Sequence, residues 1–218
     1  MRPLDVGSGT SLRHLLCIGA HCDDIEIGCG GTVLQLLERH PELHVDWVVL
    51  TSTPARAAEA RASAAGFLQG ARSHNVVIRE FRDGFLPWAG AELKDSFEEL
   101  KRALAPDLIL THHRGDFHQD HRLAGELTWN TWRDHLILEY EIPKYDGDLG
   151  RPNAFVPLTE AIVRRKVDLI LGAFQSQSNK AWFTADTFRA LPRLRGVEAN
   201  ARDGLAEAFF APKVCLTL

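Results

Sequence analysis

The stretch LLCIGAHCDDIEIGCGGTVLQLLER, Leu15 to Arg39, decides the fold. It opens on a short apolar run, Leu15 to Ala20, with the length and composition of a buried strand. It closes on Val33, Leu34, Leu36 and Leu37, whose spacing predicts a helix over Gly31 to Arg39, stopped by Pro41. Outward from there the alternation repeats. Val45 to Leu50 reads as a second strand and the Ala-rich Ala57 to Leu68 as a helix. Val76-Val77-Ile78 begins a third strand. Leu93, Phe97, Leu100 and Leu104 mark one helical face, and Leu108-Ile109-Leu110 follows the Pro106-Asp107 turn as a fourth strand. This alternation predicts an α/β, Rossmann-like three-layer fold, a mostly parallel sheet with helices on both faces. Sites in such sheets form beyond the carboxyl ends of the strands.

After residue 122 the pattern loosens. Leu123 to Trp132 reads as a helix, Leu136 to Tyr140 as a strand, Tyr145 to Pro157 as a long loop and Glu160 to Phe174 as a helix. Arg189 to Asp203 reads as basic and irregular, and Val214 to Leu218 as an edge strand. No repeat or composition break divides the chain. A single domain over residues 1–218 is expected, with a core over 14–140 and substrate-loop and C-terminal elements over 141–218.

The 218 residues are 45% hydrophobic and 25% charged, enough apolar content to bury a core and to exclude disorder. A net charge of -4 argues against a nucleic-acid partner held by general electrostatics. No run reaches the ~18 apolar residues of a membrane span. Met1 to Leu16 carries Arg2, Asp5, Arg13 and His14 and no leader-like apolar stretch. Cys17, Cys22, Cys29 and Cys215 form no C-x-x-C pair and no disulfide framework. A cytoplasmic protein with reduced cysteines is expected. Assembly into a homo-oligomer stays open.

Two clusters carry chemistry. Directly after the first strand stands Ala20-His21-Cys22-Asp23-Asp24-Ile25-Glu26, three carboxylates and one imidazole. Carboxylates packed this closely call for a positive partner, and a divalent cation suits a His/Asp set of the zinc, iron or nickel kind. The plainer alternative is a solvated acidic turn with Asp24 as a helix cap. A dinucleotide loop fails, because Val33 stands where the Gly-x-Gly-x-x-Gly fingerprint needs glycine. The glycines read instead as positions of tight backbone packing. After the fourth strand comes Thr111-His112-His113-Arg114-Gly115-Asp116-Phe117-His118-Gln119-Asp120-His121. Histidines there are surface or cap groups when taken singly. A cluster at each of two strand ends points to a shared site, with His and Asp from one loop, His from the other, and a position left for water.

Ala20-His21-Cys22-Asp23-Asp24 with Glu26 and Gly30-Gly31-Thr32, followed later by His118-Gln119-Asp120-His121, resembles the PIG-L/LmbE-like zinc-dependent N-deacetylases. The likeness spans residues 14 to 125. It departs at Cys22, where the family pattern carries Pro, which loosens the loop and sets a thiol beside the site; Cys22 is not expected to be a ligand. The resemblance implies Zn2+, or another divalent transition metal, held by His21, Asp24 and His121. It implies Asp23 as general base, a cationic His118 as the group that offsets the oxyanion and helps the amine leave, and Asp120 as the carboxylate orienting a neighbouring histidine. The implied reaction is hydrolytic N-deacetylation of a small-molecule N-acetyl amino sugar or glycoconjugate.

Arg56, just past the second strand, is the candidate substrate-binding residue for a sugar hydroxyl or phosphate; a solvated arginine opening a helix is the other reading. The polar, aromatic stretch Glu139 to Asp148 reads as a substrate wall. Arg189, Arg193 and Arg195 read as plain surface or as a phosphate contact. Competing functions are a metal-dependent phosphoesterase, which would recruit Asp116 and Glu26, and a non-catalytic metal-site module, which would need neither Asp23 nor His118.

Overall fold

The computed structural model describes residues 12–215, so the N-terminal leader question and the end of the expected Val214–Leu218 strand lie largely outside the described residues. The strands are β1 (His14–Gly19), β2 (His44–Thr51), β3 (Ser73–Phe81), β4 (Leu108–His112), β5 (Leu136–Tyr140), β6 (Ala154–Pro157) and β7 (Ala206–Phe210). The helices are α1 (Asp24–Arg39), α2 (Pro54–Phe67), α3 (Gly90–Ala103), α4 (Gln119–Thr131), α5 (Glu160–Ala173) and α6 (Ala185–Glu198). The strands form one sheet in the order β3-β2-β1-β4-β5-β7-β6. The first five are parallel, and β7 runs antiparallel between β5 and β6.

The period-2 alternation of each strand builds the two outer layers. Leu15 and Cys17 of β1, with Val45, Trp47 and Val49 of β2, face a core closed by α1, α2 and α5. Leu16 and Ile18, with Val48 and Leu50, face the opposite core of Leu93, Phe97 and Leu100 from α3 and Ala124 from α4. The chain winds from β1 to β3 one way and then returns to β4 and β5 on the other side of β1. The crevice between the carboxyl ends of β1 and β4 is therefore the switch point where α/β sheets bind ligands.

The helix after β1 begins at Asp24, seven residues before the expected Gly31. Asp24 and Glu26 fill its first turn, where carboxylates complement the helix dipole. The glycines follow from close approach rather than from a turn. A Cβ on Gly28 would stand 2.2 Å from the Tyr140 ring. One on Gly31 would stand 2.6 Å from Leu158 and 2.9 Å from Glu207 Oε1. Glu207 accepts from the amides of Gly31 and Thr32 at 2.8 and 2.6 Å, and its partner Lys166 donates to the Ile27 carbonyl at 2.7 Å. A buried ion pair thus sits directly against the helix backbone.

Several expectations are corrected after residue 138. Residues 154–157 of the expected loop pair with β7 as β6. Most of the expected irregular basic stretch is α6, which tolerates Pro192 and Gly196 because it packs on β7. The last described strand is Ala206–Phe210, hidden from a hydropathy reading by Glu207; Val214 and Cys215 belong to no strand. Nor is Arg195 a surface or phosphate group. It is buried, with Nε 2.6 Å from Glu141 Oε1 and Nη1 2.8 Å from Glu198 Oε2. Glu139, Tyr140, Glu141 and Ile142 are likewise buried, so the first four residues of the expected substrate wall belong to the core, while Tyr145, Asp146 and Gly147 are exposed. No helix among the described residues is long and apolar enough to cross a membrane.

Candidate metal centre

Both clusters arrive at the switch point because each directly follows one of two neighbouring strands. The turn after β1 is pinned by Thr51, whose N–H and Oγ1 both donate to the Ala20 carbonyl at 2.9 and 2.8 Å. His112, the last residue of β4, accepts the Ala20 N–H at Nε2 over 2.9 Å. The His21 N–H donates to Asp24 Oδ2 at 2.6 Å, which turns both side chains into the crevice.

His21 Nδ1, Asp24 Oδ2 and His121 Nε2 then form a triangle. Its edges are 3.0 Å between the two nitrogens, 3.2 Å from His21 to Asp24, and 3.5 Å from His121 to Asp24. Ligand atoms bound at ordinary zinc distances in a tetrahedron lie about 3.3 Å apart. The three side chains singled out in the sequence as ligands therefore have donor atoms spaced to share one ion. Charge agrees with spacing. Burial alone would lower the His21 pKa, but Asp24, Asp120 and Asp83 outweigh it and hold it well above the ordinary value. Burial opposes ionisation of Asp24, yet His121, His112 and His21 hold its carboxyl well below the usual range. The pocket keeps its carboxylate charged and draws positive charge toward it.

The surroundings fix the ligands' orientation. Asp116 Oδ2 lies 3.1 Å from His121 Nδ1, leaving Nε2 for the crevice. Lys144 Nζ sits 3.0 Å from the same oxygen, and the His118 N–H donates to Oδ1 at 2.8 Å. Burial would raise the Asp116 carboxyl, but His121, His112 and Lys144 hold it well below the usual range. Behind His21, Nε2 faces Asp83 Oδ1 at 3.1 Å and Asp120 Oδ2 at 3.4 Å. Asp120, expected to orient a histidine, mainly ties down the loop after β3, accepting from the amides of Gly84 and Leu86 at 2.7 and 3.1 Å.

Asp23 and His118 flank the triangle. Asp23 is the N-cap residue of α1, but its side chain makes no cap hydrogen bond. Arg56 Nη2 holds Asp23 Oδ2 at 2.9 Å instead. Burial lifts the Asp23 carboxyl above its ordinary pKa against the pull of Arg56. Arg56 also bonds Glu59 at 2.8 Å and lies over the Phe174 ring at 5.0 Å. The guanidinium expected to reach for substrate is occupied in holding Asp23. His118 caps α4, its Nδ1 accepting the Asp120 N–H at 3.2 Å, which leaves its proton on Nε2. Burial and the neighbouring His121 and His21 lower its pKa.

The sequence reading gave no backing role to Asp116 or His112, which it named only as an alternative metal carboxylate and as part of the histidine cluster, and it missed Asp83. The first two stood in the histidine-rich stretch, but spacing does not say which carboxylate meets which imidazole. Asp83 lies on the loop after β3, with no motif around it. Cys22 is nearly buried, its thiol donating to the Thr51 carbonyl at 3.4 Å and pushed up to about 12 by burial.

The PIG-L family model, described as GlcNAc-PI de-N-acetylase, matches residues 16–132, and the chain belongs to this family. It is 26% identical over 151 residues to the uncharacterized deacetylase YaiS of Escherichia coli, covering 63% of this chain and 78% of that protein. The N,N'-diacetylchitobiose deacetylase of Pyrococcus horikoshii has the same fold, with TM-score 0.68 and 20% identity over 90% of this chain and 82% of that one. So does GalB, the 4-carboxy-2-hydroxymuconate hydratase of Pseudomonas putida, with TM-score 0.74 and 18% identity over 94% and 99% of the two chains. By family the chain is an enzyme, a hydrolase of the deacetylase class acting on a linear amide.

Proposed function

We propose that the chain is a zinc-type, divalent-metal-dependent N-deacetylase acting on an N-acetyl amino sugar or sugar conjugate. The observation that carries this is the donor triangle of His21, Asp24 and His121 with Asp23 and His118 at its flanks. These three residues would hold the ion. What such an ion supplies when bound is Lewis acidity toward water and the acyl oxygen. Asp23 takes the proton of the attacking water, its carboxylate held in place by Arg56. His118 Nε2–H donates to the acyl oxygen as charge develops there, and the proton Asp23 has taken from water passes to the departing amine. Asp116 and Asp120 act through the histidines they face, as positioning residues.

The sugar assignment is supported by the family description and by the chitobiose deacetylase fold neighbour. The four free cysteines support a reducing, cytoplasmic setting. Continuity of one sheet from β1 to β7 supports the whole chain acting as one catalytic domain. The test is acetate and amine release from a panel of N-acetyl amino sugars, nucleotide sugars and glycoconjugates, with Zn2+ and again with chelator. Chelator-sensitive release from one class is the expected result. No release from any class by zinc-loaded enzyme overturns the amino-sugar assignment.

A further inference from the structure

Three side chains at the opposite end of the sheet take no part in that centre. His14 opens β1 and His44 opens β2, and the two are direct partners in the parallel register. Asp46 lies two residues along β2, so its side chain leaves the sheet on the same face as that of His44. The extended chain from His14 to His21 places this group roughly 20 Å from the β1–β4 crevice.

We infer that His14 Nε2, His44 Nε2 and Asp46 Oδ2 form a second divalent-metal site, of the zinc kind, at the amino ends of β1 and β2. One carboxylate oxygen, Asp46 Oδ2, lies 3.3 Å from His44 Nε2 and 2.5 Å from His14 Nε2, a hydrogen-bond contact that a shared ion would open by about 0.8 Å. All three ligand atoms lie within 4.8 Å of one another. The remote atoms are tied down while these converge. His44 Nδ1 meets Ser73 Oγ at 2.8 Å, and Asn75 Nδ2 donates to Asp46 Oδ1 at 3.2 Å. The His14 backbone amide, rather than its ring, is anchored on Asp107 Oδ2 at 2.9 Å. Metal-ligating imidazoles and carboxylates are held in this way, by outer hydrogen bonds that aim the inner atoms.

The electrostatics ask for the same group. The Asp46 side chain is 1% exposed. A divalent ion on the same three atoms would give this carboxylate charge and coordination together. Two imidazoles with one carboxylate select zinc, cobalt or nickel over magnesium or calcium. The side chains of His14 and His44 are 21% and 35% exposed, which leaves a path from solvent. With Ser73 and Asn75 around it in place of an acid–base pair, the site is structural, a clamp across the start of two parallel strands.

The test is Zn2+ stoichiometry of the chelator-stripped full chain, dialysed against micromolar free Zn2+. Wild type is expected to bind one ion more than His44→Ala and one more than His14→Gln, with folding checked by circular dichroism. Added Zn2+ is expected to raise the Tm of His121→Ala, and to lose that effect when His44→Ala is added. His121→Ala keeps the amino-end ligands intact, so it must still bind one ion; if it binds none, the proposal is overturned. Equal binding by wild type and both folded amino-end variants also overturns it, leaving a hydrogen-bonded His–Asp cluster. The deacetylase reading fails separately: His121→Ala would then bind as much Zn2+ as wild type.

Discussion

At its carboxyl end β1 delivers His21 and Asp24 to His121; at its amino end it places His14 against His44 and Asp46. Both ends join two imidazoles and a carboxylate, and their surroundings separate them. The carboxyl end adds Asp23 on Arg56, His118 with its Nδ1 on the Asp120 amide, and the carboxylates of Asp116 and Asp120 beside the histidines. At the amino end, Ser73 and Asn75 hold the outer atoms of His44 and Asp46. Ligand chemistry alone makes a place for a metal; a base and a donor beside it make a place for a reaction. Glu139 supplies a third case. Its carboxylate, buried like theirs, receives Arg114 Nε at 2.7 Å, the Trp129 indole N–H at 2.6 Å and the Arg114 amide at 3.1 Å. A carboxylate so fully supplied has no use for an ion.

The largest expected effect tests the carboxyl end as a metal centre. His121→Ala should lose the ion there and lower turnover by about 10³-fold or more, since Lewis-acid stabilisation contributes several kcal/mol. Zinc content and acetate release measure both; unchanged zinc occupancy would break the ligand set. Next, Asp23→Ala should lower kcat by about 10²–10⁴-fold while keeping the metal. Loss of the ion in that variant would make Asp23 a ligand and erase the division between holding and reacting.

Glu139→Gln bears on the third case and touches stability rather than metal. It should cost about 2 kcal/mol, read as a lower denaturation midpoint with zinc content unchanged. Burial opposes ionisation of Glu139, but His113 and Arg114 outweigh it and hold its pKa below the ordinary value. Its contribution is therefore fully present above the unfolded value of about 4.3 and is lost as pH falls through the folded one. In Glu139→Gln that part of the acid-side loss should vanish, and an identical pH–stability curve would count against it. The smallest effect is expected at Cys22→Pro. The Cys22 sulfur faces the Thr51 carbonyl, so activity should stay within about tenfold, a change under ~1.4 kcal/mol in the barrier. A larger loss would show the thiol taking part.

The parallel sheet was legible because buried parallel strands read as short apolar runs between amphipathic helices, and β1, β2, β4 and β5 all read that way. Less legible were the elements after α5. The strand β7 carries the buried Glu207, and α6 carries Pro192 and a buried Arg195. Their stability comes from Lys166 and Glu141, which lie 41 and 54 residues away in sequence.

The same boundary runs through the site. Sequence alone determined which residue types stand at the ends of β1 and β4, and, with the family resemblance they carry, the candidate ligands His21, Asp24 and His121 and the flanking Asp23 and His118. Spacing within a motif is local, and a strand followed by a turn delivers those side chains in known order. Only the tertiary structure decided that Arg56 serves Asp23, that Asp116 rather than Asp120 backs His121, that Asp83 reaches His21, and that His14 meets Asp46. Each of these is a contact between separate elements, or a choice between equivalent carboxylates, and both are set by the packing of the sheet and its loops.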